Sequence, residues 1–182
     1  MTQKKILDIL SKGAKSSLSV NVYFNRDKYY YNLIPLKICG DMVLAARDSD
    51  FLLDGYLIFP LSAVEKANKK GKKYNEILAK EGINKNIPVP EIDISSVSSV
   101  CSHFAKSGET VSVETIGGEY YLGRIIKAGK KSMVFAWFDA RGKWYDPVKI
   151  KYHDLWLLSY KGRYGEIFAR YADKYQEKSY EI

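Results

Sequence analysis

The chain has 182 residues, 46% of them hydrophobic, and a formal charge of +8. That is enough apolar material to bury one core or two small ones, which excludes a disordered or fibrous chain. No apolar run approaches the roughly 20 residues that cross a bilayer, and Lys4, Lys5 and Asp8 interrupt the stretch where a signal peptide would be apolar. A cytoplasmic protein without a membrane partner is expected.

The first predicted element is a short helix, with Ile6, Ile9 and Leu10 on one face. The same pattern returns 91 residues later as Val97, Val100, Cys101 and Phe104, spaced i, i+3, i+4, i+7. A half-buried strand follows each helix, Val20 and Val22 around Asn21, then Val111 and Val113 around Ser112. Turns are expected at Asn25-Arg26-Asp27 and at Gly117-Gly118. Second strands are predicted over 29–38 and 119–128, and third strands over 41–47 and 132–138. Loops at Asp48–Gly55 and Asp139–Pro147 lead to a fourth strand and almost directly to a fifth. A closing helix carries Tyr164, Ile167, Phe168 and Tyr171 on one face.

The return is general. Without a gap, residues 1–73 and 92–164 agree at fifteen positions, among them Val20/Val111, Tyr29/Tyr120, Tyr30/Tyr121, Asp48/Asp139, Lys70/Lys161 and Gly71/Gly162. Composition alone would give about five, at roughly 6–7% per position. Beyond that point an offset of 90 pairs Tyr74 with Tyr164, Glu76 with Glu166 and Ala79 with Ala169. The chain is a tandem duplication. Its expected division is a first repeat over 1–83, a Pro-containing linker over 84–94 and a second repeat over 95–182. The predicted fold class is mainly β with flanking helices (α+β), each repeat being five short antiparallel strands between an N-terminal and a C-terminal helix. Five strands on so few residues suggest a small bent barrel.

The order helix, three-strand meander and then Ile150-x-Tyr152-x-Asp154-Leu155 across a tight turn resembles the Sm-like barrel architecture, which the WYL ligand-sensing domains share. FDARGKWYDPVKIKYHDLWLLSYKGRYGEIFARY (138–171) and DGYLIFPLSAVEKA (54–67) are similar to repeats in uncharacterised bacterial proteins of that kind. The resemblance implies two tandem five-stranded Sm-like barrels. Likeness to RNA-binding Sm proteins would also imply a uridine pocket with an Arg-Gly or Lys-Gly pair between strands four and five. That turn here reads Phe59-Pro60-Leu61 and Ile150-Lys151-Tyr152-His153.

The basic excess is spread over both halves, 15 Lys and Arg against 10 Asp and Glu in residues 1–91 and 14 against 11 in 92–182. Its densest cluster is Lys66, Lys69, Lys70, Lys72 and Lys73, echoed by Lys161 and Arg163. Lysines so close together can contact phosphates without reading sequence; the alternative is a solvated loop before the last helix. The candidate nucleic-acid-binding residues are therefore Lys69, Lys70, Lys72, Lys73, Lys161 and Arg163. The tyrosines of the second strands read as core or rim packing, and Trp144 as the tryptophan most exposed. Cys39 and Cys101 read as buried free thiols. His153-Asp154 lacks the further ligands that a metal site needs, and no phosphate-cradling loop or nucleophile elbow occurs. A non-enzymatic binding module is expected, with no cofactor and no metal, taking RNA or DNA backbone as its partner. The alternative is a protein-interaction or ligand-sensing module using strand edges or an inter-barrel groove.

Overall fold

Ile6 and Leu10, one helical turn apart, are both buried, and they decide which face α1 (Gln3–Ser16) turns inward. The side chain of Thr2 accepts from the backbone N–H of Lys5 at the start of this helix, and Ser17 ends it in the left-handed region. The computed structural model describes residues 1–25 and 28–172. The chain splits into two units, Met1–Ile94 and Ser95–Ile182. No helix among the described residues is long and apolar enough to cross a membrane.

In the first unit, β1 (Val20–Phe24), β2 (Tyr30–Cys39), β3 (Met42–Ser49), β4 (Leu52–Pro60) and β5 (Val64–Lys69) are followed by α2 (Lys72–Lys80). Alternation places Val20, Val22 and Phe24 inside, with Asn21 and Tyr23 on the opposite face of β1. The antiparallel order is β5-β1-β2-β3-β4, and α1 packs against β2 and β5. A single 3-10 turn, Leu61–Ala63, joins β4 to β5. Phe24 and Phe59 meet edge to face at 5.0 Å in the core. Residues 84–94 contain neither helix nor strand. Ile92 and Ile94 are nonetheless buried, Lys37 Nζ donates to the carbonyl of Ile92, and Tyr56 donates to that of Pro88.

The second unit repeats the order with α3 (Val97–Ser107), β6 (Val111–Thr115), β7 (Tyr120–Ala128), β8 (Ser132–Trp137), β9 (Val148–Lys151), a 3-10 turn at Tyr152–Asp154, β10 (Leu155–Tyr160) and α4 (Arg163–Tyr171). Its antiparallel order is β10-β6-β7-β8-β9. The described residues are thus mainly β with four α-helices. Among them no ladder joins β4 to β5 or β9 to β10. Backbone pairing therefore shows a five-stranded antiparallel sheet in each unit that is not closed between its two outer strands.

Two local expectations are corrected, and a third falls partly outside the described residues. The loop Asp48–Gly55 is a tight hairpin, because Asp50 and Phe51 both take positive φ (49° and 69°), the twist that a two-residue turn requires; the expected loop survives only in the second copy. Cys39 is half-buried, while Cys101 is buried as expected and its thiol is pushed up to about 12 by burial. The turn at Asn25-Arg26-Asp27 includes two residues outside those described.

The ungapped alignment of the copies is also off by one through the middle strands. Val20 pairs with Leu33 and Val111 with Gly123, so β1 to β6 is a step of 91 and β2 to β7 a step of 90. The bulge in β2 lies between Pro35 and Lys37, and that in β7 between Ile125 and Lys127, again 90 apart. The step returns to 91 by β4 and β9, where Met42 pairs with Pro60 and Ser132 with Lys151. It stays at 91 into the last helices, since Asn75 N bonds Gly71 O and Glu166 N bonds Gly162 O. Asp48 therefore matches Phe138 rather than Asp139, and Tyr74 matches Gly165 rather than Tyr164. A one-residue slip in a strand sends a side chain to the other face.

Candidate nucleic-acid interface

The outer face of β5-β1-β2 in the first unit carries two rows of side chains fixed by register. Lys66 lies opposite Tyr23, and Tyr23 opposite Tyr30. One step along, Asn68 lies opposite Asn21, and Asn21 opposite Asn32. The first row is in contact throughout: Lys66 Nζ sits 5.3 Å from the centre of the Tyr23 ring, and the Tyr23 and Tyr30 rings are 5.5 Å apart. Lys70 continues the contact, 5.2 Å from the Tyr30 ring and 4.3 Å from that of Tyr74. Its ammonium also donates to Asn32 Oδ1 at 2.8 Å. Tyr29 and Tyr30 are exposed, while Tyr31 is half-buried edge-on to Phe24, so the reading of core or rim packing holds for Tyr31 and is corrected for Tyr29 and Tyr30. In the amide row, Asn21 Oδ1 is buried without a hydrogen-bond partner.

The corner of this face is held by a buried carboxylate. Asp48 is 2% exposed and accepts three hydrogen bonds, from Ser19 Oγ at 3.0 Å, Tyr74 Oη at 3.1 Å and Phe51 N at 3.1 Å. Tyr74 stacks on Phe51 with 4.4 Å between centroids. Burial, and then the hydrogen bond to Asp48, push the Tyr74 phenol up to about 12. Asn75 accepts from Ser19 N at 2.8 Å and donates to Ser19 O, tying α2 to the start of β1.

Of the six predicted basic residues, Lys69 ends β5 and is exposed, Lys70 is half-buried in the network just described, and Lys72 and Lys73 are exposed in the first turn of α2. Gly71 gives that helix no side-chain cap, and the first turn holds no acid. Lysines at a helix N-terminus add to its positive end and leave the site attractive to anions. Lys72 is engaged only by an exposed ion pair with Glu76 at 3.7 Å, which water largely screens. Lys161 and Arg163 flank the equally uncapped Gly162 before α4. Lys161 lies over the Tyr160 ring at 5.1 Å.

Protein-family models, curated proteins and solved structures give no match to this chain.

The second unit does not repeat the tyrosine face. At the same ladder positions its rows read Leu157, Glu114, Tyr120 and Ser159, Ser112, Leu122. Glu114 stands where the first copy has Tyr23, and Leu157 where it has Lys66. A carboxylate there opposes a polyanion. Of the six predicted residues, the structure brings Lys70 onto the tyrosine face, with Lys72 and Lys73 following it in α2; Lys69 pairs with Val20 and so points to the other side of β5, and Lys161 meets the Tyr160 ring instead. Asp139 instead organises its own loop. It accepts from Arg141 Nε and backbone N, Lys143 N and Tyr145 Oη, and Trp137 stacks on Tyr145 at 4.4 Å. Trp144, expected to be the exposed tryptophan, is half-buried, edge-on to Phe138 with Arg124 over its ring. His153 Nε2 lies 3.3 Å from Asp154 Oδ1.

Tyr23, Asn21, Asn32 and Asn68 were not singled out from sequence as site residues. The one signal for them was alternation: Asn21 and Tyr23 lie between buried residues of β1, and Asn32 and Asn68 each lie next to one, Leu33 and Ala67. Which of them face one another depends on hairpin register, which alternation does not supply.

Proposed function

We propose that the chain is a non-enzymatic binding module for single-stranded nucleic acid, RNA in the first instance, with its base-contacting face in the first unit. The observation that carries this reading is the contact row Lys66, Tyr23, Tyr30, Lys70 on the outer side of β5-β1-β2. Every base has a π-face, so rings beside cations bind a single strand with little sequence preference. Bases stack on Tyr23 and Tyr30, while Lys66 and Lys70 on the same face, with Lys72 and Lys73 at the start of α2, take the phosphates. The amide row Asn68, Asn21, Asn32 beside the rings adds polar side chains of the kind that meet base edges. Lys161 and Arg163 contribute backbone contacts only.

We also read each unit as an Sm-like small barrel. Support comes from the opening helix, the strand order β5-β1-β2-β3-β4 and the short 3-10 turn between the last two strands of each copy. The Sm-type uridine pocket is not part of this reading, because its Arg-Gly pair is missing from both turns and the tyrosine face lies elsewhere.

A gel shift against generic RNA and single-stranded DNA over a salt series tests the function. Binding that weakens steeply with salt is expected; no shift at low salt removes the nucleic-acid reading.

A further inference from the structure

The groove between α1 and α2 in the first unit has a volume of about 710 Å3, within the range of small-ligand pockets. We propose that it binds a small organic anion with an apolar body. Ile9, Leu18, Val20 and Ala79 supply apolar lining, and Lys12, Lys69, Lys70 and Lys72 line the same groove against one acid, Glu76. An apolar ligand surface is favoured by the first set and a single negative head by the second. Asn84 adds a specific contact. Its Nδ2 donates to Ser17 O at 2.8 Å, but its Oδ1 is buried without a partner, an acceptor left for an N–H or O–H of the ligand.

The duplication supplies an internal comparison. The second unit has a groove at the same place, lined by Glu109, Thr110, Tyr160, Lys161, Glu166 and Arg170 among others, and its volume is about 360 Å3. By the step of 91, Glu109 replaces Leu18, Tyr160 replaces Lys69 and Glu166 replaces Asn75. Tyr160 packs on Phe104 at 5.0 Å and donates to Glu109 at 2.7 Å. Phe104 itself stands where the first copy has Gly13. The second groove is therefore smaller, and its two acids balance its two cations. One site per chain follows, in the first unit.

The groove shares Lys69, Lys70 and Lys72 with the candidate nucleic-acid interface, but Lys12 and Ala79 lie outside the tyrosine rows, so variants there test the groove separately. The test is a fluorescence titration with 1-anilinonaphthalene-8-sulfonate, which combines apolar rings, an anionic group and an N–H donor. Decanoate serves as competitor and decanol as its neutral control, and a calorimetric titration of the unmodified protein with decanoate stands beside it. Expected are saturation at one probe per chain, displacement by decanoate but not by decanol, and binding about tenfold weaker in Lys12→Glu and in Ala79→Phe, each checked for native ellipticity. The absence of one-site decanoate binding to the unmodified protein overturns the proposal. Equal displacement by decanol, or folded variants that bind as tightly as the parent, also overturn it.

Discussion

Tyr74 on α2 donates to Asp48 on β3 at 3.1 Å, joining two residues 26 apart in sequence across the corner of the tyrosine face. The same carboxylate holds Ser19 and the backbone of the β3-β4 turn. Removing Asp48 strands three donors, and a stranded buried donor costs more than a hydrogen bond contributes. Asp48→Ala should lower stability by about 2–4 kcal/mol. Tyr74→Phe keeps the ring on Phe51 and should cost about 1 kcal/mol. Urea unfolding checks both, with the midpoint falling and the slope unchanged.

The raised phenol of Tyr74 sets an alkaline limit. Its folded-state value is about 12, against 10.0 for an ordinary tyrosine. The stability linked to this shift is therefore fully present below pH 10 and is lost as pH rises through about 12. Over that window the parent should lose more of its urea midpoint than Tyr74→Phe does. Parallel decline of the two proteins would show that another group governs the loss.

Asp139 sets an acid limit in the second unit. Desolvation opposes its ionisation, but hydrogen bonds from the Arg141 and Tyr145 side chains and from the Lys143 and Arg141 backbone lower the carboxyl from 3.8 to about 2. The linked stability is present above pH 3.8 and is lost as pH falls through about 2. Asp139→Asn should be less stable than the parent near neutrality, and the difference should shrink across that acid window. Tryptophan fluorescence reports it through the Trp137–Tyr145 stack.

Much of the fold was legible because every element could be read twice. Apolar spacing located α1 and α3 through Ile6, Leu10, Val100 and Phe104, and alternation located β1 and β6. Copy alignment failed where identity is ambiguous. Tyr29-Tyr30-Tyr31 overlaps Tyr120-Tyr121 equally well at a step of 91 or of 90. Ladder pairing and the bulge beside Pro35 decide for 90. That single residue explains why Asp48 and Asp139, identical in sequence, do different work.

The site was legible only as charge. Lys69 to Lys73 stand out as a run, but a run does not say what it faces. Tyr23 and Tyr30 meet because β1 and β2 pair at one register. Glu114 breaks the row in the second copy, a difference that acquires meaning only once Tyr23 is known to lie beside Lys66 and Tyr30. Asp48 reads as a turn residue, and it does accept from Phe51 N. Its bond to Tyr74 is tertiary and leaves no trace in local pattern.

The most direct measurement is fluorescence anisotropy of a labelled single-stranded RNA over a salt series, with the parent, Tyr23→Ala, Tyr30→Ala and Lys66→Gln/Lys70→Gln compared. Stacking on tyrosine predicts that each tyrosine variant binds about tenfold more weakly with the salt slope unchanged. Phosphate contact predicts that the double lysine variant loses about 0.7 of slope per lysine. No binding at low salt, or tyrosine variants that bind as the parent does, would contradict a nucleic-acid interface on the β5-β1-β2 face.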